Sequence, residues 1–178
     1  MIFEFDLITL GWINCFIKNN DETIKIGVSS DYGDTFQELL TRLFNNRNYM
    51  DNDPYSFEII WNDDMCQYHW LITVMKPKNY EIKILVKSTG NPNYSEELVD
   101  VKIKEEDLFA DIYRSLLALY KKFGFVGYKE VWEVGNFPVY EFLILKSEYT
   151  GLTLKLDKYS EEWTHKVDSA QELDLLTN

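Results

Sequence analysis

Histidine and cysteine are nearly missing from this chain, with two of each, and the scarcity removes most familiar reaction chemistry. Acid–base and nucleophilic catalysis usually shows as His near Ser, Cys or a carboxylate. His69 falls in the strand-like run Tyr68-His69-Trp70 on the face opposite Trp70, where a solvent-facing polar residue belongs. His165 lies in a polar stretch near the C-terminus. Cys15 shares an alternating apolar face with Ile13 and Ile17, as a small buried hydrophobe would. Cys66 stands beside a turn with no cationic neighbour to depress its thiol pKa. Neither cysteine belongs to a CxxC pair, so reduced thiols in a cytoplasm are expected.

Other absences narrow the classes further. No run approaches the roughly 18 apolar residues that a membrane span requires. Met1-Ile2-Phe3-Glu4-Phe5-Asp6 carries acids where a signal peptide needs a basic region. The glycines Gly33, Gly90, Gly124, Gly127, Gly135 and Gly151 are isolated, so no phosphate-cradling loop is written into the chain. The segment from Asp51 to Glu58 has the alternating acids of a calcium loop, but lacks the glycine at its sixth position and the glutamate at its twelfth. No metal and no cofactor is expected.

Base is also in short supply: 18 Lys and Arg against 30 Asp and Glu leave a formal charge of -12. Such a field repels nucleic-acid phosphates and anionic lipid and attracts a basic protein. Only Arg42, Arg47 and Arg114 are arginines, while Lys and Asn are frequent, a bias expected of an AT-rich bacterial genome.

What is present is a globular composition, 46% hydrophobic and 27% charged over 178 residues. One domain, 1–178, is expected, with Gly124–Gly127 the only place to divide it and a weakly docked tail over 160–178. Residues 2–29 read as a hairpin, its first arm either one long strand or two joined at Gly11. Asp34, with Gln37 three residues on, caps a helix whose apolar positions are Phe36, Leu39, Leu40, Leu43 and Phe44. Alternation then predicts strands through Phe57-Trp61, Tyr68-Val74, Ile82-Val86 and Val99-Ile103. The turns at Asn62-Asp63-Asp64 and Pro77-Lys78-Asn79 are short, and a looser loop spans Ser88–Tyr94.

The spacing of Leu108, Phe109, Ile112, Leu116, Leu119, Tyr120 and Phe123 predicts a helix over 105–123. Glu105, Glu106 and Asp107 sit in its first turn, Lys121 and Lys122 in its last, and Gly124 lies just past its end. Residues 128–156 read as returning strands, with turns at Gly135-Asn136-Phe137-Pro138 and Thr150-Gly151. Ser169 and Glu172 form a capping-box pattern before Leu173, Leu175 and Leu176, predicting a short terminal helix. The fold class is α+β: a mostly antiparallel sheet with two main helices packed on one face.

Aromatic side chains are unusually abundant, with 12 Tyr, 11 Phe and 5 Trp. Core packing absorbs most of them, but Tyr32, Tyr49, Tyr55 and Tyr94 fall in expected loops beside Asp31, Asp51, Asp53 and Asn93. Exposed tyrosines rimmed by acids, with Asp63 and Asp64 added from a turn, suit a basic protein surface. The pattern Gly11-Trp12, Ser29, Asp34 before Leu39-Leu40, Trp61 and Tyr68-x-Trp70 resembles small bacterial proteins of the polymorphic-toxin immunity type. That resemblance covers about the first 75 residues and implies an inhibitor that masks a toxin by surface complementarity. The expected function is therefore stoichiometric binding of a basic partner. A small-molecule or enzymatic α+β domain, and a self-associating subunit, stay open as alternatives.

Overall fold

The computed structural model describes residues 3–19, 22–47, 54–75, 81–91, 94–151, 157–158, 165–166, 172 and 174–176. Tyr49, Asp51, Asp53, the Pro77-Lys78-Asn79 turn and most of the 160–178 tail lie outside these. The chain divides into two compact units, Met1–Phe137 and Pro138–Asn178.

In the first unit, the N-terminal alternation makes three antiparallel strands in chain order: β1 (Phe3–Thr9), β2 (Trp12–Asn19) and β3 (Glu22–Ser29). The Gly11 bend is a true turn, at φ +73. Register places Phe3 on Ile17, Phe5 on Cys15 and Leu7 on Ile13, so six apolar side chains share one buried face. A 3-10 turn, Ser30–Tyr32, leads from β3 into α1 (Thr35–Arg47).

The expected single sheet is in fact two. The second holds β4 (Tyr55–Asn62), β5 (Gln67–Met75), β6 (Glu81–Asn91) and β7 (Tyr94–Lys104), again antiparallel in chain order. Within the loop expected over Ser88–Tyr94, the described residues, 88–91 and 94, are strand. A bulge lets Val99 pair with Val86 while Glu97 pairs with Lys87. Inward residues of this sheet, among them Phe57, Ile59, Trp61, Trp70, Ile72, Ile84 and Val99, are buried. Rings link the two sheets through α1: Phe5 lies 4.8 Å from Phe36 and 6.4 Å from Trp61, and Trp61 lies 4.6 Å from Trp70. Burying each such side chain is worth about 1.5–3 kcal/mol, so this cluster anchors the unit.

The outward face of the second sheet carries matched charges. Lys83 Nζ is 3.1 Å from Asp100, Glu81 stands opposite Lys104, and Lys87 stands opposite Glu97. His69 Nδ1 is 2.8 Å from Glu58, and Lys102 stands opposite Lys83.

The second main helix, α2 (Glu105–Trp132), does not stop at Phe123. Gly124, at φ 64 and ψ -174, breaks the helical backbone for one residue, and the helix then resumes to Trp132. The helices α1 and α2 are antiparallel. Phe44 meets Phe109 edge-on at 5.2 Å and Arg47 lies 3.9 Å from Glu105 at one end, whereas Trp132 Nε1 donates to Asp34 at the other.

The helix α2 also closes an edge. The Phe3 N–H donates to Asp111 Oδ2 at 3.0 Å and the Phe5 N–H to Ser115 Oγ at 3.2 Å. Lys122 Nζ donates to Asp6 and to the Leu7 carbonyl. The outer backbone groups of β1, which would otherwise invite another strand, are thus satisfied in part by side chains of the helix.

Where they are described, the residues expected as strands over 128–156 include two helical stretches: α2 runs on to Trp132 in the first unit, and α3 occupies Val139–Thr150 in the second. Short apolar runs such as Phe142-Leu143-Ile144-Leu145 fit either period, and here length and context favoured helix. The turn expected at Gly135–Pro138 separates the two helices. Gly151, in the left-handed region at φ 74, caps α3 with its N–H on the Ser147 carbonyl. Two-residue strands β8 (Asp157–Lys158) and β9 (His165–Lys166) pair antiparallel. Glu172 and Asp174–Leu176 are helical. Among the described residues, no helix is long and apolar enough to cross a membrane.

Candidate interaction site

The end of the first unit that holds the N-terminus of α1 is built around Asp34. As the cap of α1, its Oδ1 accepts the Gln37 N–H at 3.1 Å, and it also accepts the Trp132 indole N–H at 2.9 Å. One carboxylate therefore ties the start of α1 to the end of α2 across 98 positions of sequence. Gly135 lies against the same carboxylate, and a Cβ added there would overlap it. Beneath it, the Tyr128 hydroxyl is pushed well above its ordinary pKa by burial and then by the Asp34 charge, so it stays neutral.

A second junction lies beside the first. The Gly11 N–H donates to the Val131 carbonyl and the Ser30 N–H to the Gly11 carbonyl, each at 2.7 Å. A Cβ on Gly11 would come within 2.6 Å of Ser30 Oγ and 3.1 Å of the Glu133 carboxylate, so the close approach and the positive φ both require glycine. Glu133 itself is held at φ 70 and ψ -50, a conformation that costs about 1–3 kcal/mol. Its N–H donates to the Lys129 carbonyl, and its own carbonyl accepts Lys129 Nζ at 2.6 Å.

These junctions fix an exposed surface. Leu10 is 67% exposed, Tyr32 49% and Val134 44%, each within two residues of Gly11, Ser30 or Glu133. The acids Asp31, Asp34 and Glu133 lie among them. The β4–β5 turn belongs to the same end, because Trp61 Nε1, two residues before Asp63, donates to the Thr35 carbonyl at 3.3 Å.

Within that turn the two expected acids differ. Asp63 is engaged internally: its carboxylate accepts the N–H of Met65 and Cys66 at 2.7 and 2.6 Å and the Tyr68 hydroxyl at 2.9 Å. Burial raises its pKa, but these hydrogen bonds outweigh it and hold the group below its ordinary value. Asp64 is exposed. Tyr55 is half-buried against Phe57 at the far end of β4, about 25 Å away by strand rise. Tyr94 opens β7. Asp31, Tyr32, Asp63 and Asp64 thus gather at one end, and Tyr55 does not.

Sequence reasoning missed Leu10, Ser30, Glu133 and Val134. The bends at Gly11 and Gly135 were visible, but nothing local to either announces the other.

The remaining chemistry-bearing groups have quiet surroundings. His69 pairs with Glu58 on the solvent face. Cys15 is fully buried, which pushes its thiol well above the ordinary pKa and away from thiolate reactivity. No three His, Cys, Asp or Glu among the described residues cluster to hold a metal ion. No protein-family model, curated protein or solved structure matches the chain.

Proposed function

We propose that this protein binds and masks a basic partner protein through the surface at the α1 N-terminal end, in an immunity or regulatory role. One observation carries the reading: exposed Leu10, Tyr32 and Val134 stand among Asp31, Asp34, Glu133 and Asp64 on a rigid, cross-braced junction. Apolar and aromatic side chains supply anchor area, the acids supply sign and register, and the fixed backbone lowers the entropy cost of docking. The chain's charge of -12 adds long-range attraction for a basic surface.

The test is affinity capture with the full chain at low and high salt, followed by titration calorimetry on the retained protein. Capture is run beside the double substitution Asp31→Lys and Tyr32→Ala, both exposed positions. A basic protein held one to one by the parent, released by salt and lost by the double variant supports the reading. Retention that ignores both salt and the double substitution sinks it.

A further inference from the structure

The outward face of the four-stranded sheet differs in charge from the rest of the molecule. It carries four acids (Glu58, Glu81, Glu97 and Asp100) and four lysines (Lys83, Lys87, Lys102 and Lys104), so its formal charges cancel. The whole of the -12 therefore resides elsewhere. Register puts Leu71 beside Leu85 at the centre of this face, with Ile60 diagonally adjacent beside His69. Leu71 is 42% and Ile60 40% exposed, and Leu85 is half-buried.

We propose that this face is where two copies of the chain associate, sheet on sheet, about the Leu71–Leu85 pair. Charge selects the occupant. Two copies meeting elsewhere would bring like-charged acidic surfaces together, whereas here each copy offers neutral rows with an apolar centre. A basic partner is drawn instead to the acidic end. Aligned sheet packing allows the acids of one copy to lie near the lysines of the other, since Asp100 and Lys102 alternate along one face of β7. Four strands about 4.8 Å apart and roughly seven residues long project on the order of 450 Å², which suits a weak, reversible dimer rather than an obligate one.

Sedimentation equilibrium of the full chain, from low micromolar to near millimolar and at low and high salt, tests this. A dimer is expected that strengthens with salt, because salt screens the mutual repulsion of two -12 chains while leaving the apolar contact intact. Leu71→Glu should raise its dissociation constant about tenfold or more, with the circular dichroism spectrum unchanged. If Leu71→Glu misfolds, Lys83→Glu at an exposed ion pair decides, because it makes both meeting faces acidic and should weaken the dimer several-fold. A monomer at every concentration overturns the proposal, and so does a dimer indifferent to these substitutions but lost with Tyr32→Ala. Salt moves this association and partner capture in opposite directions, so the two proposals can fail separately.

Discussion

At the scale of single residues, two glycines test whether the Asp34 junction is as tight as its geometry indicates. A Cβ on Gly135 would overlap the Asp34 carboxylate, which must stay in place to accept both the Gln37 and Trp132 N–H groups. Gly135→Ala is therefore expected to destabilise the protein by about 2–3 kcal/mol, through overpacking and the loss of those hydrogen bonds. Gly127 is the control. It sits in the resumed part of α2, and a Cβ there would meet only Phe123 Cβ at an ordinary 3.5 Å. Gly127→Ala should stabilise by about 0.5–1 kcal/mol, since a helical alanine loses less entropy on folding than glycine. Urea midpoints for the two variants should move in opposite directions, and equal shifts would refute the packing argument. Asp34 was legible as a helix cap from Gln37 alone, but its second partner was not, because no local pattern connects residue 34 to residue 132.

At the scale of elements, the edge of β1 is the feature most dependent on tertiary context. Asp111 and Ser115 interrupt the apolar stripe of α2 at a spacing of four, so the sequence showed two polar residues beside Leu108, Ile112 and Leu116. Both are buried, and both accept backbone N–H groups of β1. Asp111→Ala would leave the Phe3 N–H without that acceptor and remove the Arg114 ion pair, and a loss of about 2–3 kcal/mol is expected. Ser115→Ala should cost less, about 1 kcal/mol, because its hydrogen bond is uncharged. Hydrogen exchange at Phe3 and Phe5 should accelerate selectively in the matching variant, and unchanged protection would show that β1 holds without the helix. The strands of the two larger sheets were legible because each has one buried face and reads with period two. The helices after Gly124 were not, because a glycine at positive φ commonly ends a helix yet only kinks this one.

At the scale of the whole molecule, charge works against the fold and for the proposed capture of a basic partner, and pH separates the two contributions. A formal charge of -12 at neutral pH means net self-repulsion in the compact state. Lowering the pH toward the isoelectric region, near 4.6, reduces that repulsion, so stability should first rise below neutral. Asp63 then reverses the trend. Its folded-state pKa lies below the unfolded value because Met65, Cys66 and Tyr68 donate to its ionised form. The folded state thus releases its proton more readily than the unfolded one. The stability gained from this group is fully present above the ordinary carboxylate pKa of about 4 and is lost as pH falls through the lower folded value. Thermal melts across pH should show a mildly acidic maximum followed by a fall on the acid side. In Asp63→Asn the difference from the parent should be constant above about pH 5 and should shrink below about pH 4. A difference that stayed constant through the acid limb would mean that the turn draws no stability from the ionised carboxylate. Asp63 would then be free for the partner surface that its neighbour Asp64 already faces.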